Sequence, residues 1–439
     1  MASESIERSA VEIATMRRVT LRIIPFLMIC YFIAFVDRVN AGFAALQMNH
    51  DIGLSAAAFG LGGGLFYITY VICEVPSNLA MQKVGARLWI ARIMISWGIV
   101  SAGMALVTGP YSFYAVRLLL GAAEAGFFPG VILYLTYWFP SQYRGRIVAL
   151  FMVAIPLSSF FGSPISAALL QLDGIGGLHG WQWMFILEAL PAVILGIVSF
   201  FFLADGPANA RWLSEPQRQW LADRLAGERS STTKVGHLSL WQVMTNKYVL
   251  AASLIYAGAS GASQCLSLWQ PQIIKSFGLT NMQTGLLNSI PFGVASLLML
   301  FWGRNSDRMQ ERRWHTAVPL ALLGVSLACA PLTDGLATTI VILCIAVTAT
   351  YIVKGPFWAL STEWMSAGVA AAAIAQVNAI GNLGGFFGSY LLGAIKDATG
   401  SYALGLLPLA ALSIVGCALA LSLGRRQEQP SGAALSAVH

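Results

Sequence analysis

Long apolar runs are the feature that most constrains what this chain can fold into. A helix that crosses a lipid bilayer needs about 20 predominantly apolar residues. Twelve such runs are present, at roughly 21–47, 57–82, 87–108, 111–139, 144–171, 181–204, 245–275, 281–303, 314–333, 336–364, 367–395 and 401–424. Only 10% of the 439 residues are charged, against about 25% in a soluble domain. The sequence therefore predicts an all-α membrane protein with twelve transmembrane helices and excludes a soluble enzyme.

The polar segments divide the chain into five parts. We predict an N-terminal tail (1–20), a first six-helix bundle (21–204), a linker (205–244), a second six-helix bundle (245–424) and a C-terminal tail (425–439). The first apolar run is too long for the core of a signal peptide and lacks a small-residue cleavage site after it, so we expect a retained span.

Lysine and arginine concentrate on one side of the predicted membrane. That side holds both tails and the linker, and the opposite side has little more than Lys275 and Lys396. Basic loops favour the cytoplasmic side, so both termini and the linker are predicted to be cytoplasmic, in the inner membrane of a cell. The asymmetry explains the net charge of +7, and we expect no nucleic-acid partner.

The two halves of the sequence repeat each other. Residues 53–55 (GLS) and 60–61 (GL) recur as 278–280 (GLT) and 285–286 (GL), and Lys83, Arg87 and Trp89 recur as Arg308, Arg312 and Trp314, all 225 positions later. Residues 160–163 (FFGS) recur as 386–389. A constant offset through a charged loop predicts two bundles of like topology, the layout of a two-bundle secondary transporter.

Five charged residues lie in or near the centres of apolar runs. They are Asp37 and Arg38 in span 1, Arg117 and Glu124 in span 4, and Lys354 in span 10. Each costs roughly 2.5–3.5 kcal/mol at a helix centre, so they must face a wet cavity or each other. Arg117 and Glu124 are seven residues apart, on one helix face, a spacing that fits pairing. Static ion pairs between helices are the alternative to a role in transport.

Several uncharged polar residues are weaker candidates for binding a polar solute. Tyr70 shares a face of span 2 with Tyr67 and Glu74; Asn378 and Asn382 share a face of span 11; Gln264 lies in span 7. Hydrogen bonds between helices and core packing are the alternatives. We expect a structural role for Glu74, and we place Glu188 near a span end, where solvation is cheap.

No pattern of catalytic or metal-binding residues is present. The six cysteines lie in apolar stretches without CxxC spacing, and the histidines are scattered. The sequence contains no GxSxG and no P-loop. We therefore predict no enzyme, no cofactor and no metal site.

Four stretches resemble the anion:cation symporter family of the major facilitator superfamily, in its bacterial tartrate, phthalate and hydroxyphenylacetate branch. They are VDRVNAGFAALQMN (36–49), EVPSNLAMQKVGAR (74–87), RLLLGAAEAGFFPGVILYLTYWFP (117–140) and KGPFWAL (354–360). The resemblance covers about 20–424. It implies proton sites at Asp37 and Glu124 and substrate contacts from Arg38, Arg117 and Tyr70. A span-11 asparagine also contributes, best matched by Asn382, and Lys354 fits the span-10 pattern of this branch.

The superfamily's loop signature between spans is present in both halves. It falls on Lys83, Gly85 and Arg87 in the first half and on Gly303, Asp307 and Arg308 in the second. The first copy has Gln82 where the superfamily usually has Asp, which weakens the case for a gating contact there.

The resemblance implies a proton-coupled importer of a small organic anion, acting by alternating access. The substrate is expected to be a hydroxy-dicarboxylate, a sugar acid or an aromatic carboxylate, and a monomer is expected. A proton-linked exporter of drugs on the same fold and a non-transporting membrane sensor remain as alternatives.

Overall fold

The computed structural model describes residues 2–231, 245–363 and 370–424. These residues are almost entirely helical, and no strand occurs among them. Part of the predicted linker (232–244), the start of predicted span 11 (367–369), the last residue of predicted span 10 and the predicted C-terminal tail (425–439) lie outside the described residues.

Twelve membrane spans follow one another within the described ranges. Their helices are Ala2–Asp51; Ala56–Val84; Ala86–Gly103; Pro110–Glu124 with Phe127–Thr136; Ser141–Met152 with Ala154–Leu169; Gly180–Phe202; Lys247–Lys275; Asn281–Met309; Arg313–Cys329; Leu336–Ile352 with Lys354–Glu363; Ala370–Thr399; and Tyr402–Gly405 with Leu407–Gly424. Eleven spans in the described ranges are apolar enough to cross a membrane by length and composition. The twelfth is the 30-residue helix at span 11, so the prediction of twelve spans is confirmed.

The sequence repeat is also a repeat of backbone conformation. Gly53 and Gly278, 225 positions apart, both have positive φ, 68° and 80°. Ser55 and Thr280, at the same offset, each cap the helix that follows. Side-chain caps of this kind satisfy otherwise unpaired backbone amides. The repeated residues therefore mark the same turn in each six-helix bundle.

Among the described residues, the most extensive contacts between the bundles join span 1 to span 7, span 2 to span 11, and span 5 to span 8. A side chain at Gly60 in span 2 would collide with the carbonyl oxygen of Ser389 in span 11. By the same geometry, a Cβ at Gly285 in span 8 would lie 2.8 Å from the carbonyl oxygen of Ser163 in span 5. Gly60 and Gly285 are 225 positions apart, so equivalent glycines of the two repeats both lie where the bundles meet.

A helix at Glu215–Ser231 packs on the first bundle. Glu228 accepts hydrogen bonds from the backbone N–H and hydroxyl of Ser141, each 3.0 Å long, and pairs with Arg144 at 3.0 Å. The face of the molecule where span 1 begins, span 12 ends and this helix lies is called the terminal face below. The other end is the opposite face.

Candidate functional site

Arg38 and Glu124 form an ion pair between spans 1 and 4. Arg38 Nε donates to Glu124 Oε1 at 2.7 Å, and its terminal nitrogen contacts the same oxygen. The Glu124 side chain is 3% exposed and that of Arg38 is 25% exposed. The guanidinium is therefore partly accessible while its carboxylate partner is buried, which leaves donors free for a further acceptor.

The spacing-based pairing of Arg117 with Glu124 is wrong. Arg117 instead donates to the carbonyl oxygens of Gly62 and Gly63 in span 2, at 3.3 and 3.2 Å. The helical face was predicted correctly, but helical periodicity does not tell which neighbouring helix offers the better acceptor. The side chain remains buried, at 6% exposure.

Aromatic rings bring the two arginines together. The Arg38 and Arg117 guanidinium carbons lie 5.6 and 5.0 Å from the centroid of the Phe66 ring. Arg38 is also 5.4 Å from the ring of Tyr70, which is buried at 5% exposure. Cation–π contacts stabilise desolvated guanidinium groups, so the site concentrates two positive charges against one aromatic wall.

Span 4 is broken directly after Glu124. Its first helix ends there, and Gly126 adopts a left-handed conformation, with φ 86°. Irregular backbone at membrane depth is tolerated only where protein or a water-filled cavity covers it. The break is therefore consistent with a polar site at this level.

Asp37 points away from Arg38 and into the first bundle. It is 3% exposed and accepts hydrogen bonds from Trp97 Nε1, from Ser101 Oγ at 2.5 Å and from Asn40 Nδ2 at 2.8 Å. As expected of adjacent residues on a helix, Asp37 and Arg38 serve different neighbours: Asp37 faces span 3 and Arg38 faces span 4.

Lys354 begins the second helix of span 10, after a one-residue interruption at Val353. Its Nζ lies 4.6 Å from the centroid of the Tyr351 ring. In the described residues it has no ion-pair partner. A half-buried ammonium stabilised by one ring is available for an anion.

The polar side chains of span 11 are occupied by protein partners. Gln264 Nε2 donates to Asn382 Oδ1 at 2.8 Å, which joins spans 7 and 11. Asn378 Nδ2 donates to both carboxylate oxygens of Glu74, at 3.0 and 3.3 Å, across the bundle boundary. These bonds use the Gln264 donor and the Asn382 acceptor, while Gln264 Oε1 has no hydrogen-bond partner among the described residues.

Glu188 was misplaced by the sequence interpretation. It is 6% exposed and accepts a 2.6 Å hydrogen bond from Ser166, so it does not lie at a solvated span end. Its position eight residues into the apolar run 181–204 was the signal available in the sequence.

The loop signature differs between the halves. In the first, Gly85 has φ 100°, and the Arg87 backbone N–H donates to Asp205 Oδ1 at 2.9 Å. In the second, Asp307 pairs with Arg312 at 2.7 Å. Asp205 was not predicted as part of the signature. The predicted loop residues Lys83, Gly303 and Arg308 lie at the ends of helices rather than in loops: Lys83 is in the last turn of Ala56–Val84, and Gly303 and Arg308 are in Asn281–Met309.

The geometry places cations and hydrogen-bond donors on the membrane spans themselves. Two guanidinium groups and one ammonium come from three spans, and the group suits recognition of an anion because arginine binds carboxylates bidentately. The described residues include no group of three or more side chains that could hold a metal ion.

Comparison with known proteins places the chain in a family. The profile of the Major Facilitator Superfamily matches residues 27–389. A protein of Agrobacterium vitis named "Putative tartrate transporter" is 48% identical over 97% of this chain and 98% of its own length. A "Quinolone resistance transporter" of Acinetobacter baumannii is 39% identical, over 92% of this chain and 93% of its own length.

A solved structure shares the fold. It is a bacterial homologue of the human lysosomal transporter Spinster in an inward-facing, unoccupied conformation, with a TM-score of 0.78 and 16% identity over 94% of this chain and 99% of that one. Twelve spans, two repeated bundles and these sequence matches together show that this chain belongs to the Major Facilitator Superfamily.

Proposed function

We propose that the protein is a proton-coupled symporter that imports a small organic anion by alternating access. The Arg38–Glu124 pair carries this proposal, because a buried carboxylate occupies a guanidinium that is itself partly accessible. Protonation of Glu124 removes the competing negative charge and frees Arg38 for a substrate carboxylate.

Charge balance makes proton and anion binding cooperative. With Asp37 and Glu124 ionised, the five intramembrane charges sum to +1, and with both protonated they sum to +3. Arg38, Arg117 and Lys354 then attract an anion more strongly. Because coupling between sites is reciprocal, a bound anion also favours protonation.

The remaining candidates have supporting roles in this scheme. Tyr70 flanks the Arg38 guanidinium and presents a hydroxyl beside the proposed carboxylate position. The hydrogen bond between Gln264 and Asn382, and the one from Asn378 to Glu74, are exchanged for contacts with polar groups of the substrate. Movement of the two bundles accompanies this exchange.

A hydroxy-dicarboxylate is the first substrate to test, since a relative named for tartrate transport aligns over almost the whole chain. Sugar acids and aromatic carboxylates satisfy the same cations. Lysine and arginine asymmetry supports an inner-membrane protein with a cytoplasmic terminal face. A monomer suffices, because its own two bundles flank the proposed path.

The resemblance to a quinolone resistance transporter favours a second candidate, a proton-linked exporter on the same fold. The three intramembrane cations argue against cationic cargo. Direction of proton-driven flux separates the two functions, and a non-transporting sensor would show no flux.

The test uses purified protein in proteoliposomes that contain a pH-sensitive dye. Tartrate, sugar acids and aromatic acids are added outside, and radiolabelled uptake and internal pH are followed together. We expect one acid class to acidify the lumen, and we expect the loss of proton-driven accumulation in Asp37→Asn and in Glu124→Gln. Asp334→Asn, in the exposed loop after span 9, is the matched control. Normal accumulation by Asp37→Asn would contradict the scheme.

A further inference from the structure

Arg22 is a cation at the terminal-face end of span 1 that the proposed mechanism does not use. Its guanidinium carbon lies 4.7 Å from the ring centroid of Phe202, the last residue of the span-6 helix, and 5.2 Å from a ring centroid of Trp212. Both rings are packed in turn, Phe202 on Phe26 and Trp212 on Trp138, with centroids 4.6 and 5.5 Å apart. Cation–π contacts with packed rings hold the guanidinium in one place.

This arginine has no anionic partner among the described side chains, and its buried Nε has no hydrogen-bond partner there either. Arg87 gives the contrast on the same span-6 end. Its guanidinium carbon lies 5.2 Å from the ring centroid of Phe200, and its Nε is 3.8 Å from a carboxylate oxygen of Asp205. Because arginine keeps its charge when partly buried, the position of Arg22 favours an anion that the described residues do not supply.

Exposed cations and exposed apolar side chains adjoin Arg22. Arg18 lies one turn earlier on the same face of the helix and is exposed, and Arg211, in the segment after span 6, is exposed as well. Leu21 is 65% exposed and Phe201 is 79% exposed. Positive charge therefore borders an apolar surface where two membrane spans end. An anionic phospholipid has the complementary pattern, with a negatively charged headgroup above its acyl chains.

We propose that Arg22 and Arg18 bind the phosphate of an anionic phospholipid, whose acyl chains lie along Leu21 and Phe201. The planar guanidinium of Arg22 offers paired N–H donors to the phosphate oxygens, and Arg18 adds a second positive charge. The site selects for net negative charge on the headgroup, so it favours phosphatidylglycerol over the zwitterionic phosphatidylcholine. It lies apart from the proposed path of the transported anion, so lipid binding is tested without reference to transport.

Native mass spectrometry of the purified full-length protein, in mixed micelles of phosphatidylglycerol and phosphatidylcholine, measures which lipid stays bound. We expect the wild type to retain phosphatidylglycerol preferentially. A basic residue near an anionic lipid surface is worth about fivefold in affinity, so Arg22→Gln and Arg18→Gln should each weaken phosphatidylglycerol binding about fivefold. The matched control is Arg304→Gln. Arg304 is exposed at the terminal-face end of span 8 and stacks on no ring among the described residues, so its replacement should leave the preference unchanged.

Thermal unfolding gives a second readout, with inorganic phosphate as the soluble source of the same chemistry. Phosphatidylglycerol should raise the Tm of the wild type and of Arg304→Gln more than that of Arg22→Gln, and inorganic phosphate should not reproduce the effect. Arg18→Gln changes only an exposed side chain, so it tests the site even if Arg22→Gln fails to fold. Equal phosphatidylglycerol binding by the wild type and Arg18→Gln, or equal losses in Arg18→Gln and Arg304→Gln, would overturn the inference. Equal stabilisation by inorganic phosphate would also overturn it, since the site would then bind a soluble anion.

Discussion

At the scale of single residues, the sequence locates the unusual charges but not their partners. Charged residues are rare in apolar spans because they raise the free energy of insertion. This made it possible to recognise Asp37, Arg38, Arg117 and Glu124. Their pairing was not predictable, since 86 positions separate Arg38 from Glu124. Helical periodicity fixes which residues share a face and leaves open which helix that face meets. Glu188 was placed wrongly for a different reason, because its position eight residues into the apolar run 181–204 already indicated burial.

The Arg38–Glu124 pair predicts strong coupling in a double-mutant cycle. Removing one partner of a buried pair leaves an uncompensated charge and costs about 3–5 kcal/mol. We expect Arg38→Ala and Glu124→Ala each to lower the thermal stability of the detergent-purified protein. The double variant should be more stable than the sum of the two losses predicts.

Thermal unfolding followed by tryptophan fluorescence measures the cycle. Arg144→Ala, Glu228→Ala and their double variant give a comparison pair on the terminal face, where greater exposure predicts coupling below about 1 kcal/mol. Additive losses for Arg38 and Glu124 would show that the pair is not coupled as the geometry indicates.

At the scale of elements, local sequence predicted the spans and the repeated turns well. Gly53 and Gly278 were found from the 225-residue offset and occupy the same backbone conformation. Interruptions in spans 5 and 10 fall at Val153 and Val353, three residues before Pro156 and Pro356. These prolines are visible in the sequence, and each lacks the backbone N–H that would continue the helical hydrogen bonding. Asp205, the acceptor for the Arg87 backbone, was missed because it lies at the far end of span 6.

We expect the side chain of Glu311, just before the helix of span 9, to make a pH-dependent contribution to the stability of the folded protein. Partial burial opposes its ionisation, but hydrogen bonds from the Trp314 backbone and from the backbone and ring of His315 outweigh burial and lower its pKa. A lowered pKa in the folded state stabilises the protein above the unfolded-state pKa of about 4.3. That contribution is lost as pH falls through the folded-state pKa.

We therefore expect Glu311→Gln to lower the free energy of unfolding by about 1 kcal/mol at pH 7. The difference in stability between wild type and variant should shrink below about pH 4. Thermal stability of the wild type and variant across this range measures it. Glu215→Gln, at the exposed start of the helix Glu215–Ser231, is the comparison variant, whose stability is measured over the same pH range. A deficit that stays constant with pH would show that the charge of Glu311 is not responsible.

The backbone around Gly285 brings the two bundles so close together that a side chain at this position would collide with span 5. An added Cβ would collide with the Ala167 side chain and would lie 2.8 Å from the Ser163 backbone carbonyl oxygen, which a side-chain rotation cannot relieve. Gly285→Ala should therefore lower thermal stability and reduce transport. At Gly303 in the same helix, a Cβ would meet no described atom within 4 Å, so Gly303→Ala should be neutral or stabilising by up to about 1 kcal/mol. Equal behaviour of the two variants would refute the close-packing argument.

At the scale of the whole molecule, the sequence predicts two bundles but not how they are arranged against each other. The sequence of an alternating-access carrier must stabilise at least two arrangements of its bundles. It therefore does not specify one set of contacts between them. In this structure the opposite face is closed by hydrogen bonds between bundles. Asn288 donates to Ser163 at 2.8 Å, and Asn49 donates to Gln272 at 3.4 Å.

Asp397 makes a further contact between the bundles on this face. Its two carboxylate oxygens accept from the backbone N–H groups of Ala56 and Ala57, at 3.0 and 2.8 Å. The carboxylate of span 11 thereby caps the first turn of span 2 across the bundle boundary. A carboxylate at a helix N-terminus contributes about 1 kcal/mol, which is roughly a fivefold change in the population of two states.

Replacing Asp397 should therefore favour opening of the opposite face. We expect Asp397→Ala to open it more than Asp397→Asn, because asparagine loses the charge but keeps one acceptor. Spin labels at Thr108→Cys and Ser276→Cys, in a background without native cysteines, report the distance between the bundles on this face. The longer-distance population should grow up to about fivefold in Asp397→Ala and stay unchanged in Asp334→Asn. If Asp397→Ala leaves the distance distribution as it is in the wild type, the cap does not hold the bundles together, and the remaining contacts between spans 5 and 8 must close this face by themselves.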